Sequence, residues 1–67
     1  MAVARVTEIV ASSDKSFQDA VERGVERAAR PLRGMTGLKV IEQKAKIING
    51  TITEYRVYLA ITFVLDD

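Results

Sequence analysis

The stretch GLKVIEQKAKIINGTITEYRVYLAITFVLDD, Gly37 to Asp67, decides the fold, because it has the pattern of two β-strands joined at Asn49-Gly50. Asn-Gly between two β-rich runs is the strongest short hairpin signal, since a type I′ turn requires positive φ at both central residues. We therefore predict a long β-hairpin with a two-residue loop.

The second strand of this hairpin predicts which face of the sheet is the core. Apolar side chains recur at every other residue from Tyr55 to Leu65, the alternation of a half-buried strand. The residues between them form a mixed surface: Glu54, Arg56, Tyr58, Ala60, Thr62 and Val64. This surface is too polar for a monomer core and more apolar than solvent requires, so we expect another subunit to cover it.

The turn also predicts the register of the hairpin. With a two-residue loop, Val40 lies opposite Leu59 on the helix-covered face, and Arg56 lies opposite Gln43. The residues of the first hairpin strand that share the face of Arg56 are then Gly37, Lys39, Ile41, Gln43 and Ala45. Gly37 and Arg56 are about 20 Å apart along the strand at roughly 3.3 Å per residue. One small ligand can therefore touch both only across a subunit boundary.

The first half of the chain predicts one strand and one helix. Val3–Ala11 mixes β-branched residues with single charges, and Ser12–Asp14 favours turns and helix caps. The following apolar or small residues recur with the spacing of one helix face: Phe17, Ala20, Val21, Gly24, Val25, Ala28 and Leu32. Pro31 disfavours helical geometry at the preceding residue, so the helix should end or kink near Arg30.

These elements predict an α+β fold in β-α-β-β order, with a three-stranded antiparallel sheet and one helix packed on one face. Arg33–Gly37 is the predicted connector between helix and hairpin. Residues 1–67 are expected to form a single domain.

Length and composition indicate a self-associating protein. A chain of 67 residues buries only about 60% of its unfolded surface and is marginal alone. Disulfides, metals or oligomerisation usually stabilise such chains. This chain has no Cys and no His, so oligomerisation is the remaining option. The net charge of +1 argues against nucleic-acid and membrane-surface partners. The chain has no apolar run of transmembrane length and no signal-peptide pattern, so we expect a cytoplasmic location.

The chain resembles the dodecins, small bacterial and archaeal proteins that form hollow dodecamers and, in one branch, bind flavins between subunits. The resemblance rests on VTEIVASSDKSF at the start, Glu26–Ala28 in the helix, and TEYRVYLAITFVLDD at the end. It implies a homododecamer whose hairpins wrap neighbouring subunits, with a small-molecule ligand at the interfaces.

Two positions depart from the flavin-binding pattern that the resemblance implies. Flavin-binding dodecins place a Trp where the ungapped match falls on Gly37, and a Gln where it falls on Arg56. Glycine cannot stack on an isoalloxazine ring, and a guanidinium has donors but no acceptor. The resemblance therefore implies a weakened site for riboflavin or flavin mononucleotide. Its candidate ligand-binding residues are Gly37, Lys39, Arg56 and Tyr58.

Each of these positions also has a simpler interpretation. Gly37 is either a turn residue entering a strand or the floor of a cleft that admits another ligand. Tyr58 either replaces the lost stacking platform or packs in an interface. Arg56 either holds a phosphate or carboxylate, or forms an ion pair with Glu54 or a neighbouring chain.

Catalysis has little support, because the chain has no His, Cys, phosphate-binding loop or nucleophile motif. We therefore predict that it is not an enzyme. Some tryptophan-lacking dodecin-like proteins bind calcium, and Val40–Gln43 is similar to that branch. The candidate oxygen ligands, if symmetry gathers several chains, are Glu8, Glu42, Glu54, Asp66 and Asp67, but no metal site is predicted within one chain.

Two functions follow from the sequence. The first is a hollow oligomer that binds and stores a flavin or a similar flat metabolite at a weakened site. The second is a structural or calcium-binding shell that does not bind flavin.

Overall fold

The computed structural model describes residues 3–65. Its elements are β1 (Val3–Ser13), α1 (Phe17–Ala28), β2 (Met35–Ile48) and β3 (Thr51–Leu65). The strands form one antiparallel sheet in the order β1-β3-β2, so the last strand of the chain is central. The predicted α+β fold with β-α-β-β order is confirmed.

The hydrophobic core lies between α1 and β3. Val57, Leu59 and Ile61 are almost completely shielded from solvent. The helix meets this strand with small buried residues one turn apart: Ala20, Gly24 and Ala28. A Cβ atom added at Gly24 would lie 3.0 Å from the Cβ of Ala11 and 3.2 Å from Cδ1 of Leu59. Small residues thus set how closely the helix approaches the sheet. We call the side that bears α1 the inner face and the opposite side the outer face.

Hydrogen bonds fix the corner between β1 and α1. The hydroxyl of buried Ser13 donates to Asp19 Oδ2 at 2.5 Å and accepts from the Lys15 N–H at 2.9 Å. Ser16 is the N-cap, and its Oγ accepts from the Asp19 N–H at 2.9 Å. The Ser13 hydrogen bond, helped by Arg23, lowers the pKa of Asp19. These bonds hold β1 extended two residues beyond the predicted end.

The connector lies earlier in the chain than predicted, over residues 29–34 instead of 33–37. The helix ends at Ala28 rather than near Arg30, because the residue before a proline disfavours helical geometry. Gly34 makes the bend with φ 73°, and its carbonyl accepts from the Val64 N–H at 3.0 Å. Strand β2 then begins at Met35, inside the predicted connector.

The hairpin turn has the predicted form. Asn49 has φ 51° and Gly50 has φ 75°, the positive values that a type I′ turn requires. Val40 lies opposite Leu59, as predicted. However, 39% of Val40 remains exposed. The reason is that α1 packs on β1 and β3 and leaves the inner face of β2 uncovered.

Two irregularities shift the middle of the hairpin by one residue. Thr53 is an extra residue in β3 near the turn, and its hydroxyl donates to the Lys46 carbonyl at 3.3 Å. Ile41 is an extra residue in β2 and restores the predicted register from Val40 to Gly37. The register shifts once more between Gly37 and Met35. Ile41 therefore has no partner in β3, rather than the regular outer-face position predicted for it.

Between these irregularities the predicted pairing is wrong. Arg56 lies opposite Lys44, not Gln43. Gln43 and Ala45 lie opposite Val57 and Tyr55, which places them on the inner face instead of the predicted outer face. A one-residue shift exchanges the two faces because side chains alternate along a strand.

The close approach at Gly24 gives a stability prediction. We expect Gly24→Val to lower the free energy of unfolding by about 1 to 3 kcal/mol, because extra carbons in a packed core force side chains and backbone apart. Chemical denaturation of matched samples at one protein concentration measures the change. Glu26→Val is the control, since it places the same side chain on the exposed side of α1. An equal effect of both substitutions would contradict the tight helix-sheet contact.

Candidate ligand-binding face

The four predicted site residues all lie on the outer face. Gly37 pairs with Thr62 and Lys39 pairs with Ala60, near one end of the hairpin. Tyr58 and Arg56 lie further along β3, opposite Glu42 and Lys44. Gly37 is thus about 20 Å from Arg56 along the strand at roughly 3.3 Å per residue. Within one chain the predicted site is divided into two parts.

The part around Gly37 is a shallow cavity of about 480 Å³. It is lined by Val6, Thr36, Gly37, Leu38, Lys39, Ala60 and Thr62. Gly37 lies within β2 without positive φ, and a Cβ atom added there would meet no heavy atom within 4 Å. The interpretation of Gly37 as a turn residue is therefore wrong, because Gly34 makes the bend. At Gly37 the missing side chain leaves open space.

The part around Arg56 contains two ion pairs and an aromatic ring. Arg56 Nη2 lies 2.7 Å from Glu54 Oε1, so the ion pair that was one of the two interpretations of Arg56 is present. Lys44 Nζ lies 3.2 Å from Glu42 Oε1 and 5.3 Å from the centre of the Tyr58 ring. This end of the outer face thus presents cations next to an aromatic surface.

A cleft of about 370 Å³ opens beside these groups. It is lined by Lys44, Ala45, Lys46, Glu54 and Arg56. The pKa of Arg56 is raised above its ordinary value. The main cause is its hydrogen bond to Glu54, and the second is its hydrogen bond to the Tyr58 hydroxyl. Arg56 is thus one of the cations that line the cleft.

Lys44 and Lys46 also lie on the outer face, which was not predicted from the sequence. A register extended from the turn without irregularities puts Lys44 beside Tyr55, on the inner face. Two signals in the sequence favour the observed arrangement. The adjacent apolar residues Val40 and Ile41 break the alternation, and further on the lysines alternate with apolar residues. A break in the alternation indicates an extra residue, as in a bulge, and the alternation beyond it places both lysines on one face.

The candidate metal ligands are not gathered in one chain. Within residues 3–65, no group of three or more acidic, histidine or cysteine side chains could hold a metal ion. Asp66 and Asp67 lie outside the described residues. In the same part of the chain, no helix has the length and hydrophobicity needed to cross a membrane.

Comparison with known proteins identifies the family. The model of the family described as Dodecin matches residues 3–66. The chain belongs to the dodecin family. Its fold and its family thus agree with the resemblance carried by its two terminal motifs.

Solved dodecins closely match this chain in structure. Dodecin from Streptomyces coelicolor is 30% identical, with a TM-score of 0.92 over 98% of this chain and 94% of that chain. Dodecin from Streptomyces davaonensis is 29% identical, with a TM-score of 0.92 over 98% and 97% of the two chains. Comparison with curated proteins gives no match.

A calcium-chelating relative is also similar. Calcium dodecin from Mycobacterium tuberculosis, an immunodominant antigen with a novel calcium-binding site, is 29% identical. Its TM-score is 0.81, over 96% of this chain and 91% of that chain.

The observed register can be tested by disulfide formation, because the natural chain has no cysteine. We expect Lys44→Cys with Arg56→Cys to form a disulfide within one chain, since directly opposed strand residues have Cα atoms about 4.5 to 5.5 Å apart, within the roughly 4.4 to 6.8 Å that a disulfide spans. Thiol titration and a non-reducing denaturing gel measure it. Gln43→Cys with Arg56→Cys is the matched control and should stay reduced. Efficient oxidation of the control alone would contradict the observed register and support the register without irregularities.

Proposed function

We propose that this protein is a hollow homododecamer that binds and stores a flavin or a similar flat metabolite between subunits, with the usual flavin site weakened. Residues 1–67 act as one dodecin-like domain, which the family match over residues 3–66 supports. Dodecins are small flavin-binding oligomers, so the proposed role is binding and storage rather than catalysis. The site takes in Gly37, Lys39, Arg56 and Tyr58.

The observation that carries this proposal is the open space at Gly37. Gly37 does not have the positive φ that side chains disfavour, and no heavy atom lies within 4 Å of an added Cβ atom. A stacking ring is therefore missing from a surface that has room for one. Stacking of a flat heterocycle on an aromatic side chain is worth about 1 to 3 kcal/mol. Without this stacking energy we expect flavin to bind weakly, although the cavity around Gly37 is still present.

Exposed apolar side chains support assembly. Large hydrophobic residues remain exposed on all three strands: Val3, Val6, Val10, Leu38, Val40, Ile41, Ile47, Ile48, Ile52 and Leu65. Some lie on the inner face of β2, beyond the reach of α1, and others lie at the tip of the hairpin. Contiguous exposed apolar surface on a small domain marks an interaction site. Neighbouring copies of the chain would bury it.

A second candidate function is a calcium-binding shell without flavin. The similarity to the calcium dodecin of M. tuberculosis favours it. Glu42 and Glu54 lie on the outer face, but each is paired with a cation in the single chain. Calcium takes six to eight oxygen ligands, so such a site would have to draw carboxylates from several subunits. Calorimetric titration of calcium into chelator-treated protein tests this alternative.

Flavin titration tests the main proposal. We expect the unmodified protein to quench riboflavin fluorescence weakly or not at all. Gly37→Trp with Arg56→Gln should bind riboflavin at least about 10-fold more tightly, because a stacked ring and a pairing amide are added. Gly37→Ala is the control, since it adds a Cβ atom without a ring.

Tight quenching by the unmodified protein would contradict the weakened site. If the double substitution brings no binding, and calcium binds the unmodified protein at micromolar concentration, the second candidate is the correct one.

A further inference from the structure

A groove lies between α1 and the edge strand β1, on the inner face of the sheet. Its volume is about 530 Å³, larger than either outer-face cavity. Ile9 and Ala11 line it from β1, where they share the inner face with the core residues of β3. Gly24 and Ala28 line it from the helix, and Leu32 lines it from the segment after the helix. The groove is therefore on the other side of the sheet from the proposed flavin site.

The size and lining of this groove suit a linear hydrocarbon chain. Its floor is closed where the helix touches the strand, since a Cβ atom added at Gly24 would lie 3.0 Å from the Cβ of Ala11. From Thr7 to Ala11 the strand spans about 13 Å at roughly 3.3 Å per residue, close to the length of an extended decanoate chain. Cavities of about 300 to 1,000 Å³ with a mostly apolar lining are typical of small-molecule sites.

Two arginines border this apolar surface. Arg23 and Arg27 lie one helical turn apart, and both line the groove. Arg23 Nε is paired with Asp19 Oδ2 at 2.7 Å, but 56% of the Arg23 side chain is exposed. Among the described residues, Arg27 makes no ion pair within 4.0 Å, and none of those that line the groove is acidic. Charge complementarity therefore favours an anionic group on the helix side of the groove.

We propose that this groove binds a medium-chain fatty acid. Arg27 holds the carboxylate, because the guanidinium fork matches the two oxygens of a carboxylate. Ile9 and Leu32 contact the hydrocarbon chain. This inference goes beyond the proposed function, since it concerns a second site on the opposite side of the sheet. The alternative occupant of the groove is a neighbouring copy of the chain, and the experiment below separates the two.

Isothermal titration of decanoate into the assembled, full-length protein tests the carboxylate contact. We expect saturable binding with a dissociation constant at or below about 1 mM, an affinity within reach of a ligand of this size. Arg27→Gln should weaken binding about 10-fold, because it removes a charge-assisted hydrogen bond. Arg30→Gln is the matched control, since it removes the same charge from a residue that does not line the groove. Equal weakening by both substitutions would overturn the inference.

Thr7→Phe tests the location of the hydrocarbon chain, because Thr7 lines the groove. A phenyl ring there occupies part of the groove and should weaken decanoate binding at least about 10-fold. Ala4→Phe is the control, since it places the same ring on the outer face of the same strand, where Ala4 pairs with Val64. Sedimentation equilibrium checks that both variants keep the mass of the unmodified protein.

Two results would contradict the site. Unchanged affinity in Thr7→Phe, or equal weakening in both phenylalanine variants, would place the hydrocarbon chain elsewhere. If the unmodified protein assembles but shows no saturable decanoate binding, a neighbouring copy covers the groove and the inference is wrong.

Discussion

The packing of α1 on the central strand is the contact on which the rest of the structure depends. Small residues on the helix let it lie against Val57, Leu59 and Ile61, which are the largest fully buried side chains of the described residues. Fully burying such a side chain is worth about 1.5 to 3 kcal/mol. A core of this size fixes the order of the strands but leaves much of the sheet without cover.

The shape of the chain follows from this small core. Strand β1 pairs with β3 only as far as Tyr55, so residues 46–54 extend as a two-stranded arm. The chain measures 52 × 19 × 13 Å along its principal axes, far from spherical. An isolated two-stranded hairpin is marginally stable in water. Under the proposed assembly, contacts with neighbouring copies of the chain would stabilise this arm.

Most of the fold could be predicted from local patterns. Asn49-Gly50 determined the turn, alternation in β3 determined the core, and the small residues of α1 determined the helix face. The middle of the hairpin could not be predicted from the turn alone, because a one-residue bulge exchanges the faces without changing the composition. That error placed Gln43 instead of Lys44 opposite Arg56. The role of Gly37 was also beyond sequence, since only the backbone φ and the empty space around it distinguish a turn from a cleft.

The central claim is that copies of this chain bury the surfaces that one chain leaves exposed. Sedimentation equilibrium at micromolar concentration tests it most directly, because mass reports the number of subunits without a ligand. We expect one species with the mass of twelve 7.4 kDa chains. A stable, folded monomer at the same concentration would contradict it.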